Sequence, residues 1–522
     1  MPAVQDSANT LVQEYDLESQ NTYTRTEDSI KNKKTPFWRK ILGFLLITAV
    51  VVGCCFLYVM GTFKKFLGIY YITGYGALSI SYYFITTFFA YMNRGRCNKL
   101  ADKVMSSPED YSHPSVSVHI TGYREDPEYF ERCLRSVDTL SYPNLTGIVV
   151  SIDGNDEEDI YMADIALKVF GNRVTTVPLD FIPSMEKRIF SIGINTSNVP
   201  VYVITQPHSG KRDAMYSAYM VGKKLKSEFF MSTDSDTIME KNTLSELVYQ
   251  TFGEKKVDAV AGQLKIFNKE NWLSYLSAAR YFMAFNLERA SQSFHGVVNC
   301  LSGPLGLYRM SSFDIVANDW VDQTFMGKRC TFGDDRHMTN QILSIGGRTT
   351  YTHRSVAHTE TPTVYSRFVA QQTRWSKSYW RELLLQTQWV TRSWYLVMET
   401  VYGLLFPSLI LATILTVIFT RTWWSLFAIL SITFTMPLLR SLIAFFLFEP
   451  ESIIFLNVLY PIMYFTTLLP VKFVALFTVN QTNWGTSSRK KIVNSLGPIV
   501  PVMIWICILT CGIVIHIVSG DE

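Results

Sequence analysis

The sequence predicts a mainly parallel α/β domain inserted between the membrane helices of an integral membrane protein. Three observations predict it. Residues 41–60 (ILGFLLITAVVVGCCFLYVM) carry no charge, and from about residue 396 the chain turns apolar again. Between these regions, over 100–390, charge returns and β runs alternate with helical stretches. Four of the β runs are continuous in β-branched and apolar residues rather than alternating, the pattern of strands covered on both faces.

The composition fits that plan. At 522 residues the chain is too long for one compact core. Hydrophobic residues make up 48% and charged ones only 18%, low for a soluble chain of this size. A net charge of +4, with no basic stripe interleaved with aromatics, argues against a nucleic-acid partner. Eight scattered cysteines (Cys54, Cys55, Cys97, Cys133, Cys300, Cys330, Cys507, Cys511) form no CxxC pair and no zinc spacing, which suits a reduced, cytosol-facing domain.

In chain order, residues 1–35 are polar, lack the apolar core of a signal peptide and read as a disordered cytosolic tail. Residues 36–95 read as a transmembrane hairpin. Its first run, 41–60, has the length of a spanning helix, about 20 residues. Its second, 66–92, is rich in Tyr and Phe. Lys31, Lys33, Lys34, Arg39 and Lys40 before the hairpin and Arg94, Arg96 and Lys99 after it outvote Lys64 and Lys65 in its turn. The domain over 96–365 is therefore assigned to the cytosol. Interfacial helices carrying QQTRW (371–375) are expected over 366–395, and a membrane bundle over 396–522. Four apolar runs follow the domain: 396–420, 423–448, 452–479 and 496–518. Were all four to cross, Arg489, Lys490 and Lys491 would lie outside, against the positive-inside rule. The run 452–479 contains Pro461, Pro470 and Lys472 and is expected to lie at the interface or re-enter, packed against protein. That leaves two crossings before the domain and three after it.

The four strands end in polar clusters. VSVHI (116–120) leads into TGYRED, GIVVSI (147–152) into DGNDEED, VYVI (201–204) into TQPHSGKRD, and EFFMST (228–233) into DSDT. Parallel sheets bind ligands at the carboxyl ends of their strands, so four clusters at equivalent positions mark a site. Asp234 and Asp236, at i and i+2, can hold a hard divalent cation and leave positions for phosphate oxygens and water. Surface turns often contain such a pair; its place after a buried strand gives it weight. Lys211 and Arg212 suit a nucleotide diphosphate, or simply a solvated basic turn. Asp334 and Asp335 follow Gly333 in GDDR (333–336). One of them can take a proton from an attacking hydroxyl. The pair also suits a helix start, with Asp334 capping while Asp335 reacts. Gly303, in CLSGPLGLYR (300–309), lets the backbone approach a ligand. Cys300 has no His partner to make it a nucleophile and is expected to line a sugar pocket. Gln371, Arg374 and Trp375, at i, i+3 and i+4, share one helix face. An indole is a platform for a sugar ring, and Gln and Arg hydrogen-bond hydroxyls and phosphate. QQTRW thus reads as an acceptor platform where the site meets a membrane pore.

Taken together, DGN (153–155), HSGKR (208–212), STDSDT (232–237), SGPLGLYR (302–309), GDDRHMTNQIL (333–343), QQTRWSKSYWRE (371–382) and WGTSSRKK (484–491) resemble in order and spacing the processive family-2 glycosyltransferases. Among these the chain looks most like the membrane-integrated hyaluronan synthases of animals and algal viruses. The resemblance covers roughly residues 40–518. It implies a GT-A-like domain, a plasma-membrane location, Mg2+ or Mn2+ as cofactor, and alternate, inverting transfer from UDP-GlcNAc and UDP-GlcA to a growing polysaccharide. It also implies roles. Tyr123, Glu125 and Asp153 would hold the uridine. Lys211 and Arg374 would face the diphosphate, and Asp236 with Asp234 the metal. Asp335 would be the general base. Cys300, Gly303, Gln371 and Trp375 would meet the acceptor. Trp484, Gly485 and Thr486 would lie on a gating loop over 483–491. The family usually continues past a segment like 496–518 with a further span, whereas this chain stops at Glu522. Two other readings remain: a chitin-type synthase using UDP-GlcNAc alone, and a transporter with an inactive transferase-like domain. Few buried acids occupy the apolar runs, which speaks against an ion pathway.

Overall fold

A computed structural model describes residues 70–193, 198–385, 387–419, 423–449, 451–482 and 497–518. The expected tail 1–35, the first apolar run 41–60 and the loop 483–491 lie outside those residues.

From Tyr70 to Ser106 the chain is a single helix of 37 residues. At 1.5 Å per residue it is about 55 Å long. Ala90, Asn93, Cys97, Ala101 and Val104, spaced three or four residues apart, are buried, which is the stripe a helix lays on a core. The Asn93 amide and the Cys97 thiol both donate to the carbonyl of Tyr351, at 3.3 and 3.4 Å. The expected boundary at 95/96 is therefore not a break in the path. The second apolar run, from Tyr70 on, and the first helix of the domain are one element.

The strands are β1 (Val116–Gly122), β2 (Leu145–Ile152), β3 (Val174–Pro178), β4 (Val201–Thr205), β5 (Phe229–Asp234), β6 (Ile238–Met239), β7 (Ala259–Ile266), β8 (Gly306–Arg309), β9 (Thr324–Phe325), β10 (Lys328–Arg329) and β11 (Thr349–Thr359). Nine of them form one sheet in the order β3-β4-β2-β1-β5-β8-β7-β11-β6, and β9 and β10 form a separate ribbon. Neighbours from β3 across to β5 pair in parallel, as do β7 and β11. β8 runs antiparallel between β5 and β7. All seven residues of β1 are buried, as the continuous apolar runs predict for a strand with helices on both faces. Ile120, Val150, Val203, Met231, Val260 and Leu307 belong to one core cluster. Register then sets the functional edge. Thr121 lies opposite Asp234, and Gly122 and Thr205 both lie opposite Ile152. The ends of β1, β2, β4 and β5 therefore stand side by side. A Cβ on Gly122 would come within 2.9 Å of the Ser235 side chain, so glycine lets β1 end against the DSD turn.

Three described helices are long and apolar enough to cross a membrane, by length and composition: Trp394–Leu415, Leu430–Leu447 and Tyr460–Phe477. Val500–Ile515 is a shorter apolar helix. The Tyr460–Phe477 stretch is segmented. A 3-10 turn, Ser452–Val458, leads into α-helix at Tyr460–Met463, a π-helical turn at Tyr464–Leu468, and α-helix again at Leu469–Phe477. Pro461 and Pro470 fall in the first turns of the two α pieces, where a missing N–H costs nothing. Tyr365–Leu385 forms the helix that carries QQTRW. It packs on Leu469–Phe477, and the Trp380 indole donates to the Lys472 carbonyl at 3.1 Å.

Candidate active site

The site begins where β1 and β2 end. Asp153 is 1% exposed, and its carboxylate accepts from the amides of Ser209 and Gly210 at 3.0 and 2.9 Å. His208 Nδ1 stands 3.0 Å from the same carboxylate, whose hydrogen bond holds the imidazole above its usual range. The His208 ring stacks on Tyr123, with centroids 4.0 Å apart and planes 15° apart. Asp153 therefore shapes the loop that carries His208 and leads into Lys211. Glu125 lies beyond Tyr123, its carbonyl accepting from the Tyr161 hydroxyl at 2.5 Å.

Lys211 opens the Lys211–Lys224 helix. Its ammonium donates to Asp234 at 2.5 Å and lies 3.7 Å from Asp334. Burial works against that charge, but Asp234 and Asp334 hold the ammonium above its ordinary range. A Cβ on Gly303 would sit 3.1 Å from Asp234 Oδ1 and 3.2 Å from Lys211 Nζ, so the Cys300–Leu305 segment passes directly over the pair. Asp236, 8% exposed, follows on the same turn. Among the described residues no group of three or more His, Cys, Asp or Glu side chains is disposed to hold a metal. Two carboxylates suit a cation that takes its remaining ligands from a diphosphate and water, the mode of Mg2+ at substrate phosphates.

GDD follows a different local logic from the one expected. Gly333, at φ 83°, is the N-cap of the Asp334–Ser344 helix, and no side chain caps it. Asp334 is therefore not the cap: it is the first helical residue, and its carboxylate faces Lys211. A Cβ at 333 would run into the Ser378 side chain, so this glycine lets the GDD turn press against the QQTRW helix. Asp335 Oδ1 accepts from the Arg336 amide at 2.7 Å, and Oδ2 faces the Cys300 sulfur at 3.8 Å. Arg289 clamps the facing segment through the Cys300 carbonyl at 3.0 Å and the Ser302 hydroxyl at 2.9 Å. Burial, and then Asp335 beside it, push the Cys300 thiol up, so it stays a thiol rather than a thiolate nucleophile.

Gln371, Arg374 and Trp375 line the same cavity, and Trp375 is 41% exposed. Burial lowers the Arg374 guanidinium, while Asp334, Asp335 and Asp234 work the other way. The described candidate site residues Tyr123, Glu125, Asp153, Lys211, Asp234, Asp236, Cys300, Gly303, Asp334 and Asp335 line this cavity too, of about 1160 Å3. Arg212 does not: it is neither a solvated turn residue nor a diphosphate ligand but is buried, donating to the Trp320 carbonyl at 3.2 Å and to Gln323 at 2.9 Å, because it faces the protein side of its helix. The cavity continues without a wall to Phe406 and Arg440 on two membrane-compatible helices. Trp484, Gly485 and Thr486 lie outside the described residues. Thr482, just before them, accepts at its carbonyl from the Thr331 amide and hydroxyl, at 3.2 and 3.0 Å, and Thr331 lines the cavity. Sequence reasoning missed Arg289, Gln323, His337 and Glu382. His337 and Glu382 stand inside the GDDRH and RWSKSYWRE strings; nothing in the sequence marks Gln323.

The family model for glycosyltransferase like family 2 matches residues 187–378, from before Lys211 to just past QQTRW. Hyaluronan synthase 3 of Xenopus laevis is 40% identical over 409 residues, covering 77% of this chain and 73% of its own. Hyaluronan synthase 2 of Homo sapiens is 34% identical over 503 residues, 92% of this chain and 89% of its own. Hyaluronan synthase 3 of Homo sapiens is 36% identical over 492 residues, 91% and 86%. A solved structure, the mannosyltransferase PcManGT of Pyrobaculum calidifontis in complex with GDP-Man and Mn2+, aligns at a TM-score of 0.43 and 14% identity over 78% of this chain and 98% of its own, too loosely to carry an argument. Identity of a third or more along nine-tenths of the chain, with Lys211, Asp234, Asp236, Asp335, Arg374 and Trp375 gathered around one cavity, identifies the chain as a member of the hyaluronan synthases, processive UDP-sugar-dependent glycosyltransferases of family 2.

Proposed function

We propose that this synthase transfers GlcNAc and GlcA alternately from UDP-GlcNAc and UDP-GlcA, with inversion, and passes the polymer outward between its own membrane helices. The observation that carries this reading is the unbroken cavity from Tyr123 at the strand edge, past Asp335 and Trp375, to Phe406 and Arg440. Tyr123, Glu125 and Asp153 form the uridine end, and Lys211 and Arg374 meet the diphosphate. Asp234 and Asp236 would hold Mg2+ or Mn2+, which supplies charge stabilisation to the departing diphosphate. Asp335 accepts the proton of the attacking hydroxyl. Its Oδ1 takes the Arg336 amide, and its Oδ2, with only the long bond from the Cys300 thiol at 3.8 Å, keeps a lone pair for the acceptor. Trp375 stacks under the acceptor ring and Gln371 bonds its hydroxyls. Inversion needs one in-line displacement and one base, so the rate enhancement comes from positioning and fixed charge. The hyaluronan synthase relatives favour this over a chitin-type product. The test is purified protein given each UDP-sugar singly and together. Lyase-sensitive polymer should form only with both, and polymer from UDP-GlcNAc alone at the same rate would overturn the reading.

The catalytic domain is proposed to face the cytosol from the plasma membrane, with 452–479 not crossing. Contacts at both ends of that run support this. Before it, Lys265 of β7 pairs with Glu449 at 3.3 Å and Glu451 at 2.8 Å, and Arg94 pairs with Glu449 at 3.4 Å. After it, Thr482 bonds Thr331. Tethers to the catalytic domain at both ends favour a run that returns to the side it left, although Tyr460–Phe477 is long and apolar enough to cross. A single reporter cysteine at Ser487 should resist an impermeant thiol reagent in intact cells and react after permeabilisation; labelling from outside would mean that the run crosses.

A further inference from the structure

A buried hydrogen-bond chain of residues given no role at the site joins the ends of three of its motifs. Glu382 lies on the QQTRW helix seven residues beyond Trp375 and four beyond Ser378, on the face that meets Gly333. It is 1% exposed. Its Oε1 accepts from Gln323 Nε2 at 2.7 Å and His337 Nδ1 at 2.9 Å, and its Oε2 from Asn340 Nδ2 at 3.3 Å. His337 and Asn340 stand on the helix of Asp335, two and five residues further on. Gln323 Oε1 in turn accepts from Arg212 Nη2 at 2.9 Å, and Arg212 follows Lys211 on its helix. Arg212, Gln323 and His337 are all buried. Burial would raise the Glu382 carboxyl, yet His337, Asn340 and Gln323 together hold it below its usual range. Three segments, carrying the nucleotide cation, the base and the acceptor platform, thus converge on one carboxylate.

We infer that Glu382, with Gln323 as its link to Arg212, is a positioning pair for glycosyl transfer: it fixes the spacing between Trp375 and Asp335 and ties that spacing to Lys211. Each bond to the Glu382 carboxylate matches a donor to an acceptor, and a mismatch there strands a buried polar atom that forfeits its solvation. The transfer step is sensitive to it, since a misplacement of about 1 Å in reacting groups costs about 100-fold. Uridine binding, at the opposite end of the cavity, is not. The inference rests on the roles proposed above for Asp335 and Trp375. D335N tests those roles in the same assay, so the two can fail separately.

The experiment inverts the polarity of the link and then restores it. Q323E sets a second carboxylate against Glu382 where an amide now donates. The double variant Q323E/E382Q gives back one donor and one acceptor across that contact, and the carboxylate placed at 323, where Gln323 Nε2 now lies 3.0 Å from His337 Nδ1, takes over as the acceptor for His337. With active sites counted by UDP binding, Q323E should lower kcat at least tenfold while KM for each UDP-sugar stays within about twofold. Q323E/E382Q should recover at least a third of the wild-type kcat. Wild-type turnover by Q323E, a loss that appears in KM instead of kcat, or a double variant no better than Q323E would each overturn the inference. Should Q323E bind no UDP, and so not be folded, the double variant decides alone. Above a tenth of wild-type kcat it supports the inference; below that, or with no UDP binding, it overturns it.

Discussion

The nucleotide edge of the cavity and its acceptor edge are assembled from different materials. At the nucleotide edge the backbone does the placing. Thr121 pairs with Asp234, Gly122 and Thr205 with Ile152, and the residues just beyond β1, β2 and β5 come together because the strands are in register. At the acceptor edge there is no shared ladder. The QQTRW helix meets the GDD helix through side chains, with Ser378 against Gly333 and Glu382 against His337 and Asn340. A backbone ladder tolerates most single substitutions at its surface, whereas a side-chain junction depends on each member. The nucleotide edge should therefore respond to mutation in affinity, and the acceptor edge in turnover.

The largest expected effect sits on the acceptor edge. D335N should cut turnover by about 10²–10⁴-fold, the range for loss of a general base, while UDP affinity stays unchanged. An active D335N enzyme would break the division. D236N should do the reverse. Metal-dependent UDP affinity, read by calorimetry, should fall by at least about 10–100-fold, the range seen when even an outer-shell partner of a metal ligand is lost. A third variant sharpens the junction itself. G333A forces a side chain into a φ of 83° and against Ser378. It should cost about 1–3 kcal/mol, seen as a lower midpoint of thermal unfolding in detergent. Adding S378G should recover the part due to the contact and leave the part due to φ.

The smallest effect is a pH dependence at the nucleotide edge. Asp153 raises the folded-state pKa of His208, so their bond contributes fully below the ordinary imidazole value of about 6.5 and fades as pH rises through the raised value. UDP affinity should decline modestly as pH rises above about 6.5 and His208 loses its proton. H208F keeps a ring on Tyr123 without the titration and should flatten that decline; an unchanged slope would separate His208 from it.

The same contrast explains what could be read before any coordinates. The strands VSVHI, GIVVSI, VYVI and EFFMST announce themselves by continuous apolar runs, and a parallel sheet puts their carboxyl ends at one edge as a matter of topology. Asp234 and Lys211 could thus be named from spacing alone. Glu382 could not, because its partners lie 42 to 59 residues away in the chain, and polar residues in a helix pattern read as a solvated face. Asp334 suits a cap in the sequence for a related reason: an Asp at a helix start offers a local bond, and only the fold brings Lys211 close enough to claim it. The helix from Tyr70 to Ser106 shows a third limit, since a change from apolar to charged residues marks a change of surroundings and not of secondary structure.

The cavity has one further consequence, and it is kinetic. On the proposed function, reaction space and outward path share one cavity, which Tyr123, Phe406 and Arg440 all line. Each sugar joined beside Asp335 lengthens the portion of product held among the helices until the path is filled, so escape slows over the first additions and is then constant, while the bond-forming step stays the same. Product length then reports a ratio of two rate constants, elongation over release. A substitution deep among the helices, far from any carboxylate that reacts, can change the length of the polymer without changing the rate at which sugars are joined.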